Sequence, residues 1–446
     1  MMQNQSLRKR WRVRSAGIWP LVWPIMLSNL SVPLLGAVDT AILGHLPSAA
    51  YLGAVAVGSS VITMVFWSLG FLRMGTTSLV SRAVGRQDWE DTLVLWLRSV
   101  ALALSLAAVL LLCRGWIVEL AMSWMKPTQE SLTLAASYSG IRFWSAPATL
   151  INYTIIGWFI GHQDTRSPLV ILLVTNALNI TLDFLFVLGL GLASDGAAYA
   201  SVVAEYTGLV CGLWMLRRRV LRLPLTQTWR QRLAHMRLWH AYLPLLHINR
   251  HLFVRTACLL GVFTFFTAQG ARAGTNIVAA NAILLQLLML TSHALDGFAH
   301  AAEALCGKAT GARDRRELWR VIQATTVMAA ASALLISLIF WLSKDPLLQL
   351  FTTLPTVLSE ANKQFPWVIA LPLIAVWGYQ LDGIFIGMGM TRAMQFSMAG
   401  CMLLVFFPAW WLTTDWHNTG LWFAFCLFNL TRGLSMAWVL KRTLAR

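Results

Sequence analysis

Charge is what this 446-residue chain has least of: Asp, Glu, Lys and Arg make up 12% of it, against 57% hydrophobic residues and a mean hydropathy of +0.63. That balance excludes an ordinary water-soluble globule. Acids are scarcer still, 18 against 35 Lys and Arg, which leaves a net charge of +17. The six cysteines, Cys113, Cys211, Cys258, Cys306, Cys401 and Cys426, show neither CxxC nor Cys/His spacing, so they read as free, small hydrophobes rather than a metal centre. A Gly-rich phosphate loop, a Walker lysine motif and a nucleophile elbow are all missing, which removes ATP-driven pumping and hydrolysis. No catalytic residue, metal or cofactor is therefore expected, and the chain does not read as an enzyme.

What the chain has instead is long apolar runs. A membrane span needs about 20 predominantly apolar residues, and twelve such segments are expected at 18–42, 52–80, 92–113, 133–160, 168–192, 197–216, 241–268, 277–305, 321–342, 364–388, 394–412 and 420–440. The run after Arg14 is longer than a signal-peptide core and reads as the first span. Pro24, Pro33, Pro147 and Pro372 lie inside spans, where neighbouring helices can re-satisfy the freed backbone. Pro24 and Pro33 mark expected bends in the first helix.

The runs also repeat. Gly157-Trp-Phe-Ile-Gly161 with Thr165-Arg166 returns as Gly383-Ile-Phe-Ile-Gly387 with Thr391-Arg392, each pair 226 residues apart. The same shift lays Gly85 and Asp88 on Gly311 and Asp314, and a shift of 224 lays Gly196 and Thr207 on Gly420 and Thr431. Such duplication is a common construction of membrane transporters. The expected fold is an all-α polytopic membrane protein of two pseudo-symmetric six-helix lobes: 1–216, a basic linker at 217–240, and 241–446.

Basic residues cluster at alternate ends of the spans: Arg8 to Arg14, Arg217 to Arg237, Lys308 to Arg320, and Lys441 to Arg446. The positive-inside rule then puts both termini in the cytoplasm. Topology also accounts for the net charge, so nucleic acid is not an expected partner; membrane lipids are.

The chemistry is expected in the few acids within spans, because a carboxylate at that depth is expensive and usually faces a cavity or an ion path. These are Asp39, Asp183 and Glu205 in the first half, and Asp296, Glu303 and Asp382 in the second. Asn179 and Asp183 are four apart and share a helix face, as do Ser201 and Glu205. Asp39, Asn179, Asp183 and Ser201 form a candidate cluster for a proton or for Na⁺: hard cations take oxygen ligands, while paired carboxylates take up protons. A purely structural role, with polar side chains joining helices, stands beside it.

These segments resemble a known family. Trp23-Pro-Ile-Met-Leu-Ser-Asn29, Val32 to His45 around Asp39, Leu52 to Gly58, Ile141 to Pro147, Gly196 to Tyr206, Leu295 to Ala299 and Leu381 to Gly387 look like the multidrug and toxic compound extrusion transporters, in particular the DinF branch. The resemblance implies a secondary antiporter of two lobes around a V-shaped cleft, a monomer in a bacterial inner membrane, expelling amphipathic and often cationic compounds in exchange for H⁺ or Na⁺. It places the family's first-helix aspartate on Asp39, its fifth-helix asparagine and aspartate on Asn179 and Asp183, and its sixth-helix hydroxyl, usually threonine, on Ser201.

A second branch of that family carries an acid in its seventh helix, but here 241–268 has none and has Arg250 and Arg255 instead. Asp296, Glu303 and Asp382 are candidate partners of Arg255, as second-lobe coupling groups or as a structural ion pair. Trp67, Trp144, Trp158 and Phe298, with Met26, Met64 and Met289, are candidates to line an apolar cleft. The alternative function is a flippase of a lipid-linked precursor, for which Arg73, Arg142, Arg250 and Arg255 are cationic candidates.

Overall fold

Helices account for the architecture from end to end. The computed structural model describes residues 2–44, 46, 48–125, 129–236 and 238–445, and all of its regular structure is helical. In chain order these are α1 (Met2–Gly44), α2 (Ala49–Ser68), α3 (Phe71–Gly85), α4 (Trp89–Met125), α5 (Gln129–Arg142), α6 (Ala146–Gly161), α7 (Arg166–Asp183), α8 (Ala193–Val220) and α9 (Trp229–Met236). The second half continues with α10 (Leu243–Ala273), α11 (Thr275–Gly311), α12 (Arg315–Leu342), α13 (Lys344–Phe351), α14 (Pro355–Met388), α15 (Thr391–Cys401), α16 (Phe407–Leu412) and α17 (His417–Ala445).

Among the described residues ten helical stretches are long and apolar enough to cross a membrane. The two other expected spans, 18–42 and 133–160, fall on α1 and on α5 with α6, which a 3₁₀ turn at Phe143–Ser145 separates. Leu112, Trp124 and Leu404 are 85%, 83% and 78% exposed. Large apolar side chains that open belong against lipid rather than water.

The repeat read from the sequence is a repeat of backbone. Gln87 (φ 60°) and Arg313 (φ 55°) are left-handed and 226 apart, as are Gln163 (φ 61°) and Gly389 (φ 75°); Ala193 (φ 49°) and His417 (φ 50°) are 224 apart. Each of the first four closes a helix. The Asp88 N–H reaches back to the Ala83 carbonyl at 3.1 Å, and the Asp314 N–H to that of Ala309 at 3.0 Å. Both aspartates then start the next helix: Asp88 Oδ1 accepts the Asp91 N–H at 3.0 Å, and Asp314 Oδ1 that of Glu317 at 2.9 Å. One helix stop and the next helix start are thus encoded in four residues, twice.

The matched glycines mark close helix crossings. A Cβ on Gly157 would stand 2.6 Å from the Arg73 carbonyl, and one on Gly383 would collide with the Ala299 carbonyl, 226 residues on. Helix pairs α3–α6 and α11–α14 therefore meet backbone to backbone. Gly383→Ala is expected to force α11 from α14 and destabilise the protein by about 1–3 kcal/mol. Gly400→Ala, with nothing within 4 Å of its Cβ, serves as the control; equal thermal unfolding midpoints for the two variants would contradict the crossing.

The chain divides into two compact units, Leu27–Leu246 and Met1–Met26 with His247–Arg446. The division differs from the expected 1–216, 217–240 and 241–446, since the first part of α1 packs with the second half. The reason is local: Ile18 and Val22 are buried against Leu295, Phe298, Ala301 and Val376, and Gly297 leaves room for Met26. Nor is 217–240 only a tether. Arg232 Nε donates to Glu90 Oε2 at 2.9 Å, and the Gln227 N–H donates to Glu90 Oε1 at 2.8 Å, pinning the segment to the start of α4.

Each unit has its own core. Val80, Trp96, Ile155, Trp158, Phe159 and Ile171 fill one. Phe266, Phe406, Trp422, Phe425 and Phe428 fill part of the other, with the Phe266 and Trp422 rings edge to face at 5.0 Å. Within that apolar core Asn281 and Asn418 exchange hydrogen bonds at 2.8 and 3.0 Å, and Asn281 Oδ1 also accepts the Trp422 indole N–H at 2.9 Å. The three side chains satisfy one another, as a buried polar group must.

Candidate ion-coupling site

Two polar centres that contain charged side chains lie among the described apolar helices, apart from the Asn281–Asn418–Trp422 network. The first is in the unit Leu27–Leu246. Asp39 comes from late in α1, Asp183 from the last residue of α7, Asn179 from one turn before it, and Ser201 from α8. After Asp183 the helix widens into a π turn at Phe184–Gly189, a distortion often found at functional positions. Asp183 and Asn179 are 1% and 2% exposed. Asn179 Nδ2 donates to Ser201 Oγ at 3.3 Å, which ties α7 to α8. Farther along α7, Asn176 Nδ2 donates to Ser31 Oγ at 3.0 Å and so ties α7 to α1.

The carboxyl groups of Asp39 and Asp183 meet side chain to side chain. Among the described residues, neither Asp183 oxygen nor Asp39 Oδ1 receives a donor from any other group. Two ionised carboxylates have no hydrogen to share, so the pair is bonded only when one of them holds a proton. A cation between them satisfies the same oxygens. Arg142, at the end of α5, supplies positive potential to both acids, and buried Tyr138, one turn earlier, lies within the field of Asp39, Asp183 and Arg142. Tyr138 is a site neighbour that sequence reading did not single out. The spacing Tyr138, Arg142 on one helix face was the available signal.

Pro24 is buried in the first part of α1, and the side chain of Pro33 lies outside the described residues. Glu205 stands apart from the carboxyl pair, alongside Asn152 and Thr149 and in the field of Arg142. The Asn152 amide donates to the Glu205 carbonyl at 3.3 Å.

The second centre is in the other unit. Asp382 Oδ2 accepts from Nη2 of both Arg255 and Arg432. Asp382, Arg255 and Arg432 are 5%, 8% and 1% exposed, so one carboxylate joins two buried guanidinium groups. Arg432 also points Nη2 at the Gly378 carbonyl, 3.5 Å away, and its guanidinium lies 5.8 Å from the Tyr379 ring centroid. Asp296 is close enough to act electrostatically on Tyr379, as are Arg255 and Arg432. Sequence reading passed over Arg432. A lone arginine in the span 420–440 was the signal, because such a charge calls for a counter-charge.

The two halves furnish equivalent space differently. Asn152 in α6 faces Gly208 in α8, its Nδ2 3.5 Å from where a Gly208 Cβ would lie. At the matching positions Gly378 in α14 faces Arg432 in α17, with Cζ 3.4 Å from a Gly378 Cβ. The bulky polar side chain sits on the first helix of the pair in one half and on the second in the other.

Two of the aromatic candidates for cleft lining are not available. Trp158 is 0% exposed, edge to face with Phe159 and tilted against His162, and Phe298 is 1% exposed against Ile18 and Val22. Both are core residues, placed there by helix faces that sequence periodicity could not tell apart. Trp67 and Trp144 are open, and the Arg114 guanidinium lies 4.7 Å over the Trp144 ring. Met64 is also exposed.

Comparison with known proteins agrees with this construction. The family model MatE matches residues 24–185 and again 252–411, one match in each half. The chain is 39% identical over 432 residues to DNA damage-inducible protein F of Escherichia coli K12, covering 95% of this chain and 92% of that one. It is 26% identical to a probable multidrug resistance protein NorM of Bacillus cereus over 75% of this chain and 74% of the other. Among solved structures, a MOP superfamily transporter from Pyrococcus furiosus, described as having a binding pocket of reverse polarity, superposes with a TM-score of 0.87 at 19% identity over 97% of both chains.

Proposed function

Because the chain belongs to the multidrug and toxic compound extrusion family of membrane transporters, we propose that it is a secondary antiporter, exporting amphipathic compounds in exchange for protons taken up by the Asp39–Asp183 pair. The observation that carries this reading is the carboxyl–carboxyl contact, which closes only around a proton or a cation. Of the two, the proton is the simpler occupant, because a carboxyl pair needs no further ligand to share one hydrogen. Na⁺ uses the same four residues in the second version of the same site.

Proton uptake from outside neutralises one acid and draws α1 towards α7, and Pro24 and Pro33 let α1 bend as it does so. Substrate is displaced outward, and release of the proton to the cytoplasm resets the pair. In this reading the protein works as a monomer in a bacterial inner membrane with both termini cytoplasmic, following the basic loops. A one-for-one exchange of proton for monovalent cation moves no net charge and sustains about tenfold accumulation per pH unit.

Purified protein in proteoliposomes loaded with a fluorescent organic cation provides the test. An imposed pH gradient is expected to drive efflux, and a Na⁺ gradient at constant pH to leave it at the leak rate. Efflux under the Na⁺ gradient alone would assign the pair to Na⁺. No movement under either would turn attention to lipid-linked substrates and a flippase.

A further inference from the structure

A hollow of about 510 Å³ in the unit containing His247–Arg446 has the opposite chemistry to the carboxyl pair. It is lined by His247, Arg250, His251 and Val254 of α10 and by Arg392, Gln395 and Phe396 of α15. Among the described residues no carboxylate lines it. His247 and His251 are four apart on one face of α10, their ring centroids 6.2 Å apart. His251 is 8% exposed, and its Nδ1 meets Gln395 Oε1, which joins α10 to α15 across the hollow. An amide oxygen only accepts, so Nδ1 carries the hydrogen of that contact.

The charge of this hollow is uncompensated. One turn beyond His251, Arg255 is matched by Asp382, and Arg432 shares that carboxylate. Among the described residues no ion pair involves Arg250 or Arg392; Arg392 instead lies 5.6 Å over the Phe396 ring. A cationic rim explained only by loops beside an anionic membrane surface would not require two helices to bring Arg250, Arg392 and His247 to one cavity whose walls the buried His251 and Gln395 fasten. The volume falls within the usual range for a small-molecule site.

We propose that this hollow binds the anionic group of an amphipathic ligand, a sulfonate, phosphate or carboxylate. Arg250 and Arg392 supply guanidinium forks suited to such oxygens. Phe396 and Val254 take the apolar part next to the charge. The ligand is either a free organic anion or the headgroup of an anionic lipid, and the two share this chemistry.

The test uses the full chain in nanodiscs of phosphatidylcholine, titrated calorimetrically with naphthalene-2-sulfonate and with the matched trimethylammonium cation. The sulfonate is expected to bind at least about tenfold tighter than the cation, and the double variant Arg250→Gln/Arg392→Gln to lose at least about tenfold in affinity for it. Arg250→Lys/Arg392→Lys, which keeps the charge but not the guanidinium forks, is expected to bind between the wild type and the glutamine variant. Unchanged thermal unfolding of the glutamine variant separates lost binding from lost fold. A second arm adds phosphatidylglycerol to the discs: weaker sulfonate binding in the wild type, or enrichment of that lipid on the wild type over the glutamine variant, names a lipid headgroup as occupant, and no effect beside intact sulfonate binding names a free anion. Equal sulfonate affinity in wild type and glutamine variant, equal affinity for anion and cation, or no sulfonate binding without lipid enrichment each overturns the site.

Discussion

Asp39→Asn abolishes gradient-driven efflux, bringing it down at least about tenfold to the leak rate, while the protein still folds and inserts. Asparagine keeps the volume and polarity of the side chain, so the contact with Asp183 survives as an amide–carboxyl hydrogen bond that needs no proton. That substitution removes the reason for the pair to respond to pH: Asp183 gains a permanent donor, and Arg142, whose field reaches both acids, is left with one negative partner. Asp183→Asn has the same consequence from the other side, and the double variant is no worse than either single one, because the two acids act as one unit. Proteoliposomes under an imposed pH gradient supply the measurement. Full efflux by Asp39→Asn would end the proposed role of the pair, and a double variant much worse than both singles would show that each acid couples independently.

Asp382→Ala gives the largest loss of stability, about 3–5 kcal/mol, because it strands two buried guanidinium groups with no carboxylate. Arg432 is 1% exposed and Arg255 8%, so neither is positioned to recover its hydration without moving a helix. Arg432→Leu is expected to be much milder, since Arg255 and Asp382 remain a balanced pair. Combining Asp382→Ala with Arg432→Leu recovers part of what the first change alone removes, since only one guanidinium is then left unmatched. Thermal unfolding of purified protein in detergent ranks the three variants. If Asp382→Ala melted no earlier than Arg432→Leu, the carboxylate would not be the keystone of that centre, and water would have to reach the arginines.

Much of this was legible in the sequence, and what was not has a physical cause. Helix starts and stops are local chemistry, so the match of Gly85 and Asp88 to Gly311 and Asp314 was visible as a sequence repeat, and the backbone carries it as matched turns with left-handed residues at Gln87 and Arg313. The glycine pairs were legible for a similar reason, since only a missing side chain lets α3 meet α6 and α11 meet α14 so closely. Acids within spans stand out because few sequences tolerate them, which is how Asp39, Asp183 and Asp382 could be singled out. Orientation was not legible. In a membrane the lipid-facing and core-facing sides of a helix are both apolar, so nothing in the pattern separated exposed Trp67 from buried Trp158. Nor could chain order show that Ile18 and Val22, in the first helix, pack against Leu295 and Phe298. The partnership of Arg432 with Asp382 is likewise a matter of tertiary distance, with 50 residues between them.

The exchange of Asn152–Gly208 for Gly378–Arg432 has a consequence for how such a protein diversifies. After duplication, each half inherited the same scaffold with the same gap between two helices, and a gap can be filled from either wall. Filled from opposite walls, with an amide in one half and a guanidinium in the other, the two gaps give the two interiors different charge. The two glycines are held to different degrees: a Cβ on Gly208 would collide with Thr175 Oγ1, whereas one on Gly378 would stand at ordinary contact distance from Arg432. Matched places in a repeated backbone thus carry different chemistry, which lets one half hold a carboxyl pair and the other a buried cluster of guanidinium groups around a single carboxylate.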